Sequence, residues 1–462
     1  MSKLPKVVFS NDVTKSAGDS EYGVVENGAV ADTKLIATHE VGHVLGVDSE
    51  LFLFFRNAET GEPLTPRPFE ARTVDCVDGT RQYIVFPSED TLQSEISSQG
   101  RLYYNLMTPR IQTVVRNHFN CQSLVGARLE NQPTAESCTG SHFDERLFYS
   151  ELMGPIFSGT TDVLSPLTLA LLDDSGWYKV HYEGSQVSPF GHAAGCPFVS
   201  DNCIINDEVP NYATGAFCSR PTRVNFFSGQ IDAATNDLLC DPTHRSIGVC
   251  DLFDRTKATG FEFDPNGARY FSDSNLQALT AQTDWCPVPS IPTGVDCTDD
   301  TGPRSSQTYI GEEYGPNSRC LNFEPDASSR SVAGCFDVQC DAASRQVIVN
   351  GDSCEFDGQL LQFQRLSGLT SNMICPKFAV VCPQLYCQGG CSGRGVCNYA
   401  TNKCECFNSG DQSPICSGFD SIETPFTLPS SIATTPFERG LSIASARTVS
   451  LAAVALGMFI ML

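Results

Sequence analysis

The sequence has few basic residues for its length: its 462 residues include 30 Lys and Arg against 54 Asp and Glu, a formal net charge of −24. A surface that binds nucleic acid needs excess positive charge to neutralise phosphates, so this composition argues against a nucleic-acid partner. It predicts a soluble protein with an anionic surface. Asn-x-Ser/Thr acceptor sequences are also absent, so N-linked glycosylation is not expected.

Both ends of the chain lack a long apolar run. The first residues, MSKLPKVVFSNDV, contain no apolar core of a secretory signal. Residues 448–462 are apolar but number only 15, whereas a bilayer-spanning helix needs about 20. This run follows a Ser/Thr/Pro-rich stalk at 418–447 and predicts a GPI-anchor signal. The anchor would be attached at Ser430, Ser431 or Ser442, and a short membrane tail is the alternative. Because such an anchor requires the secretory pathway, we expect that an upstream portion is missing from this sequence.

Cysteine pairs spaced C-x₂-C are absent, which argues against structural zinc sites, although the chain contains 22 cysteines. This high and even number predicts disulfide bonds and an extracellular protein. Only Cys76, Cys121 and Cys138 precede residue 190, and the other nineteen follow it. The shift predicts a boundary near residues 180–190. Frequent Gly, Pro, Asp and Ser beyond it predict short strands and loops.

The motif that indicates chemistry is HEVGH, at residues 39–43. On a helix, His39 and His43 would project from the same face and could bind one Zn²⁺ through neutral nitrogens. Glu40 could reach the open position of the metal, where a water would bind. Gly46 stands where the metzincin form of the motif has a Gly that ends the helix. The pattern favours a metal-dependent hydrolase, most often a peptidase, over the alternative of ordinary helix residues.

The third ligand must come from elsewhere in the chain. Its usual position, three residues past Gly46, is Ser49, which is a poor zinc ligand. The segment GSHFDERLFYSELMGP, at residues 140–155, resembles the segment that supplies the third histidine in the leishmanolysin family of surface zinc endopeptidases. The resemblance implies that His142 is the third metal ligand and that Met153 is the residue of the Met-turn.

The remaining histidines are interpreted as structural or peripheral. His118 is the rival ligand, but it lies in a segment that precedes the third ligand in the family, which favours a structural role. His181, His192 and His244 lie beyond the Met-turn and are interpreted as surface or loop residues.

The resemblance covers about residues 34–290, with further similar segments at 114–132, 173–183 and 190–199 in the family's order. It implies an α+β fold, in which a metzincin-like zinc peptidase core precedes a disulfide-rich C-terminal domain of loops and β-strands. The predicted divisions are an N-terminally incomplete catalytic region at 1–180 with an insertion at about 51–105, a Cys-rich domain at 181–380, an EGF-like module at 383–417, the stalk at 418–447 and the apolar tail at 448–462.

The EGF-like module is predicted from six cysteines spaced C-x₃-C-x₅-C-x₆-C-x-C-x₉-C, from Cys387 to Cys416. Spacing alone leaves their pairing open, but the resemblance to EGF-like modules implies first with third, second with fourth and fifth with sixth. Such a module is too small for a hydrophobic core and depends on its disulfides. A rigid spacer is favoured over an adhesive surface as its role.

The family resemblance implies a zinc endopeptidase acting on protein or peptide substrates at the cell surface. His39, His43 and His142 would hold one Zn²⁺, Glu40 would act as general base, and Met153 would form an apolar floor beneath the histidines. The alternative is a catalytically inactive adhesion or binding protein built on the same scaffold.

Overall fold

The computed structural model describes most of the chain as far as Gly418, where the first of two units ends. The predicted stalk beyond Gly418 and the apolar residues 448–462 therefore lie outside the described residues, as do Ser430, Ser431 and Ser442. Every helix in the described part is too short or too polar to serve as a bilayer span. The described residues are 6–7, 27–132, 138–156, 162–223, 235–257, 270–305, 309–325 and 330–418, with side chains from residue 34 onward.

The helix that carries the HEVGH motif, α1, covers Asn27–Leu45 and is the longest in the described residues. It ends in a Schellman motif: the N–H of Gly46 donates to the carbonyl of His43 and that of Val47 to the carbonyl of Gly42, both at 3.1 Å. Gly46 has a φ of +142°, which favours glycine, so the predicted helix stop is confirmed. The other α-helices are α2 (Pro109–Phe119), α3 (Glu145–Phe148), α4 (Pro166–Asp174), α5 (Cys196–Ser200) and α6 (Phe378–Val381).

Short strands precede and follow α2 along the chain. β2 and β3 form an antiparallel pair, and β1 pairs in parallel with β7. β4, β5 and β6 form an antiparallel sheet with β5 in the middle, and the chain leaving β6 continues directly to Glu130. These strands are β1 (Lys6–Val7), β2 (Ala71–Asp75), β3 (Arg81–Val85), β4 (Leu92–Ile96), β5 (Leu102–Leu106), β6 (Ala127–Arg128) and β7 (Lys179–Val180).

The C-terminal part consists mainly of short antiparallel strands and loops, as predicted. Its largest sheet has the order β16-β15-β14-β13-β18-β17 and is packed around Tyr309, Phe323, Phe336 and Phe363. Helices and strands together give the mixed fold expected from the sequence. The strands are β8 (Leu239–Cys240), β9 (Ser246–Val249), β10 (Leu252–Asp254), β11 (Leu276–Ala278), β12 (Ile291–Asp296), β13 (Ser318–Phe323), β14 (Val332–Asp341), β15 (Gln346–Val349), β16 (Asp352–Cys354), β17 (Leu360–Gln364), β18 (Thr370–Ile374), β19 (Gly395–Asn398) and β20 (Lys403–Cys406).

Disulfide bonds pair all 22 cysteines, so the prediction of a disulfide framework is confirmed. In the EGF-like module the pairing is the one that the resemblance implied. Outside it, Cys121–Cys196 connects the segment after α2 to α5, across the predicted boundary at residue 180. The module bonds are Cys387–Cys397, Cys391–Cys404 and Cys406–Cys416.

The EGF-like module packs against α2 and α4. The Asn117 amide nitrogen on α2 donates to the carbonyls of Gly390 and Gly395, and its side-chain oxygen accepts the N–H of Cys397. Arg394 forms an ion pair with Asp173 on α4 at 3.0 Å. These contacts do not test the role of the module, so its interpretation as a rigid spacer stays a prediction. The predicted domain boundaries themselves stay predictions.

Candidate active site

Two of the three predicted metal ligands, His39 and His43, lie one turn apart on α1. Their Nε2 atoms are 3.0 Å apart, and their ring centroids are 4.7 Å apart with the ring planes at 83°. Residues four apart on a helix project from one face, which is why this spacing brings the rings together. Both side chains are half-buried, so they remain open to solvent on one side.

The third predicted ligand, His142, joins this pair although it lies 99 residues beyond His43 in the sequence. Its ring centroid is 5.2 Å from that of His39 and 4.9 Å from that of His43. One ring nitrogen from each histidine lies within 4.8 Å of those of the other two. Two further clusters with metal-ligand spacing in the described residues contain disulfide-bonded cysteines, which cannot act as thiolate ligands.

The Nδ1 atom of each imidazole is held by an acceptor that fixes the tautomer. A backbone carbonyl can only accept, so the ring nitrogen facing it must carry the hydrogen. A neutral imidazole then has its lone pair on Nε2, on the side where the three rings meet. The contacts are His39 Nδ1 to the Leu152 carbonyl at 2.7 Å, His43 Nδ1 to the Val47 carbonyl at 2.6 Å and His142 Nδ1 to Glu130 Oε2 at 2.8 Å.

This donor set fits a divalent cation. The Nε2 atoms of His39 and His43 cannot hydrogen-bond to each other when both carry lone pairs, and at 3.0 Å those lone pairs repel. A cation between them removes the repulsion. Zn²⁺ is commonly held by imidazole nitrogens at about 2.0–2.1 Å, and three protein ligands with one open position are the pattern of a catalytic zinc site.

Burial favours the neutral form of two of the imidazoles. Loss of hydration lowers the pKa of both His39 and His43, and the neighbouring imidazoles lower it further. The hydrogen bonds that the rings donate to backbone carbonyls oppose this change in pKa but do not reverse it. Metal binding requires the unprotonated form, so the setting of these side chains favours a cation over a proton.

Glu40 lies between the two helical histidines and is exposed to solvent. Its negative charge acts on both His39 and His43, where it opposes the larger effect of burial on their pKa. A carboxylate near the imidazoles and open to water can exchange protons with water or substrate at this position.

Met153 packs under α1 and is completely buried. A Cβ atom built on Gly42 would lie 2.5 Å from the Met153 Sδ, so the glycine leaves room for this contact. The Met153 carbonyl accepts the N–H of Phe143, the residue after His142. The side chain of Met153 therefore supports the helical ligands, and its backbone supports the third ligand. Met153 is the residue for which the sequence predicted the Met-turn.

Four further polar residues support the site, and the sequence drew attention only to Ser49 among them. Glu130 accepts the hydrogen bond of His142, and Ser49 contacts Ser141, whose hydroxyl is 3.1 Å from both the Ser49 N–H and its hydroxyl. The buried Glu151 carboxylate accepts hydrogen bonds from the hydroxyl of Ser165, just before α4, from the hydroxyl of Thr168 on α4, and from the N–H of Met153. Only Ser49 carried a signal, because it stands at the usual third-ligand position of the motif.

Two of the other histidines lie in loops, as predicted, but not at the surface. The His192 and His244 side chains are buried, and burial lowers the pKa of each. His118 is structural as predicted: burial lowers its pKa to about 3, and its Nε2 contacts the Phe190 carbonyl at 2.8 Å. The His181 side chain is about half exposed, at 53%.

Known proteins resemble this chain over much of its length. The family model for leishmanolysin, a peptidase family, matches residues 32–388. The leishmanolysin-like peptidase of Drosophila melanogaster is 26% identical over 396 residues, which cover 76% of this chain and 54% of the relative. That of Caenorhabditis elegans is 26% identical over 393 residues, covering 74% and 56%.

Leishmanolysin of Leishmania major is 28% identical over 237 residues, which cover 50% of this chain and 35% of the relative. The chain thus spans about half the length, or less, of these curated relatives. The family match includes all three clustered histidines, Glu40 and Met153. The chain belongs to the leishmanolysin family.

Proposed function

We propose that the protein is a zinc-dependent endopeptidase that hydrolyses peptide bonds in protein or peptide substrates. The observation that carries this proposal is the convergence of three imidazoles whose Nδ1 atoms are all engaged by protein acceptors. We assign the ligand role to Nε2 of His39, His43 and His142. Family membership supports the proposal, since the curated relatives are named as peptidases or as leishmanolysin.

A bound Zn²⁺ supplies a Lewis acid, which polarises the scissile carbonyl and lowers the pKa of a water toward neutrality. We assign Glu40 as the general base. Its carboxylate accepts the proton of the attacking water and then donates it to the nitrogen of the leaving amine. Its exposure leaves it open to water and substrate, and its place beside His39 on a rigid helix fixes its distance from the ligands.

The remaining residues of the site hold the ligands in place. The Leu152 and Val47 carbonyls fix the orientations of the His39 and His43 imidazoles. Met153 forms the apolar floor beneath α1. All three imidazoles are only half-buried, which leaves them accessible from solvent.

We also propose that the protein acts outside the cell, at the cell surface. Its disulfides require an oxidising compartment, because cytosolic proteins are kept reduced. The proposal of a membrane anchor, through a C-terminal lipid or a short tail, rests on the sequence of residues 448–462 alone.

The test compares the wild-type protein with Glu40→Gln, which keeps the size of the side chain and removes its charge. We expect both to bind one Zn²⁺ per chain by elemental analysis. The variant should cleave a denatured protein about 10²–10⁴-fold more slowly, the usual contribution of a general base. Glu59→Gln is the matched control, since Glu59 is exposed in a loop and its substitution changes the charge of the protein by the same amount.

Two outcomes would contradict the proposal. Turnover by Glu40→Gln at the wild-type rate would remove Glu40 from the mechanism. Stoichiometric zinc in the wild-type protein without chelator-sensitive hydrolysis would favour the inactive adhesion or binding protein.

A further inference from the structure

The segment that carries His142 is joined to Glu130 by both backbone and side chain. Leu129 and Phe143 form an isolated antiparallel bridge, and the N–H of Glu130 donates to the carbonyl of His142 at 2.9 Å. The Glu130 side chain then turns toward the imidazole, and Oε2 accepts from Nδ1 at 2.8 Å. Two hydrogen bonds thus join the same two residues, so the imidazole has little freedom to rotate.

The chain makes room for this carboxylate with a glycine. A Cβ atom on Gly140 would lie 2.6 Å from the Glu130 Cβ and 3.1 Å from Oε2. The N–H of Gly140 donates to the Glu130 carbonyl at 3.1 Å. Glu130 is itself only 9% exposed, so its carboxylate is placed at a cost in hydration that its partners must offset.

The acceptor for His142 differs in charge from those of the other two ligands. His39 and His43 donate to neutral carbonyls, whereas His142 donates to a carboxylate. A charged acceptor makes a stronger hydrogen bond and increases the electron density on the opposite ring nitrogen. It also places one negative charge next to a set of three neutral ligands.

We propose that Glu130 is a positioning residue that sets the tautomer and orientation of His142 for metal binding. It acts through the imidazole and does not touch the metal or the substrate. This inference rests on the proposed function, because it concerns the affinity of the same site for Zn²⁺. Partners of this kind are typically worth about 10–100-fold in metal affinity.

A second contact holds the residue before His142. It allows support of this segment to be tested separately from the hydrogen bond to the imidazole. The Ser141 hydroxyl lies 3.1 Å from the Ser49 N–H and from its hydroxyl, tying the loop after α1 to the residue before His142. Ser49→Ala removes part of this tie but leaves the acceptor of the imidazole intact. We therefore expect it to change metal affinity much less than a change at Glu130.

The test measures Zn²⁺ affinity by competition with a chelator for the wild-type protein, Glu130→Gln and Glu130→Ala. We expect Glu130→Ala to weaken binding about 10–100-fold and Glu130→Gln by less, because the amide oxygen can still accept but carries no charge. The control is Glu95→Gln on β4, since Glu95 accepts from Tyr103 and Asn105 and makes no contact with an imidazole in the described structure. It should bind Zn²⁺ with wild-type affinity.

Two further readouts separate positioning from a merely structural role. Co²⁺ in place of Zn²⁺ gives an absorption spectrum that reports ligand geometry, which should change in Glu130→Ala and not in Glu95→Gln. Thermal unfolding of the metal-free proteins should be similar for wild type and Glu130→Gln. If Glu130→Ala fails to fold, the isosteric Glu130→Gln decides the test.

The outcomes distinguish this inference from the proposed function. A wild-type protein that binds no Zn²⁺ would contradict the proposed function. The role of Glu130 alone would be overturned by a different result. In that case the wild-type protein binds Zn²⁺, and Glu130→Gln and Glu130→Ala bind it as tightly as the wild type and give the same Co²⁺ spectrum.

Discussion

Gly42 stands between the two helical ligands, and its missing side chain gives Met153 its place. A Cβ atom there would lie 2.5 Å from the Met153 Sδ and 3.1 Å from its Cε. We expect Gly42→Ala to lower the free energy of unfolding, because overpacking of about 1–3 kcal/mol exceeds the gain of about 1 kcal/mol in helix propensity. It should also weaken Zn²⁺ binding, since the displaced methionine lies under the ligands. Chemical denaturation and chelator competition measure the two effects.

A double-mutant cycle with Met153→Ala serves as the control for this prediction. Removing the long side chain makes space for the new methyl group, so Gly42→Ala should cost less stability in that background. An equal effect in both backgrounds would show that the clash with Met153 is not the cause.

How well each ligand could be predicted depends on how local its cause is. His39 and His43 follow from the helical period alone, and the structure brings them together as expected. His142 has no periodic relation to them, so only the resemblance of its segment indicated it. Glu130 gave no signal, because its position depends on the long-range bridge between Leu129 and Phe143.

Asn117 is a buried side chain that makes three of the hydrogen bonds between α2 and the EGF-like module. Asn117→Ala would leave the carbonyls of Gly390 and Gly395 and the N–H of Cys397 without their partner. Each buried polar group left unpaired costs about 1–3 kcal/mol, so we expect the module to detach more often or the whole protein to melt at a lower temperature. Faster hydrogen exchange at residues 387–406 is the measurement.

Asn408→Ala is the matched control for this contact. Asn408 is exposed and caps its own turn by accepting the N–H of Gly410. Similar exchange at residues 387–406 in both variants would mean that Asn117 does not hold the module in place.

The internal structure of this module could be predicted, and its docking could not. The cysteine spacing and the resemblance together identified the pairing, because disulfides determine so small a fold. Its packing on α2 includes the hydrogen bonds of Asn117, 273 residues before Gly390, and a lone Asn in a helix has no distinguishing pattern. The helix stop at Gly46 could be predicted because it too has a local cause.

Stability toward acid is expected to depend on the buried His192. Its Nδ1 donates to the Ala379 carbonyl, and burial lowers its pKa to about 4, against 6.5 in the unfolded chain. Above pH 6.5 this histidine is neutral in both states, so its ionisation does not reduce the free energy of unfolding. As the pH falls toward 4, the unfolded chain takes up a proton that the folded one does not, so stability is lost at about 1.4 kcal/mol per pH unit.

We expect His192→Asn to remove this dependence while keeping a donor near the Ala379 carbonyl. Urea denaturation with disulfides intact, between pH 4 and 7, should show a shallower loss of stability than in the wild-type protein. His181→Asn is the control, since it removes an exposed imidazole. An equal change of slope in the two variants would contradict the assignment to His192.

The bond between Cys76 and Cys138 shortens the covalent route from α1 to the third imidazole. The chain from His43 to Cys76 has 33 residues and that from Cys138 to His142 has four, in place of 99 along the backbone. By the logarithmic dependence of ring closure on length, the shorter route saves about 0.9 kcal/mol of entropy when His142 reaches the helix. The saving is reciprocal, so oxidation of this pair and assembly of the three imidazoles favour each other.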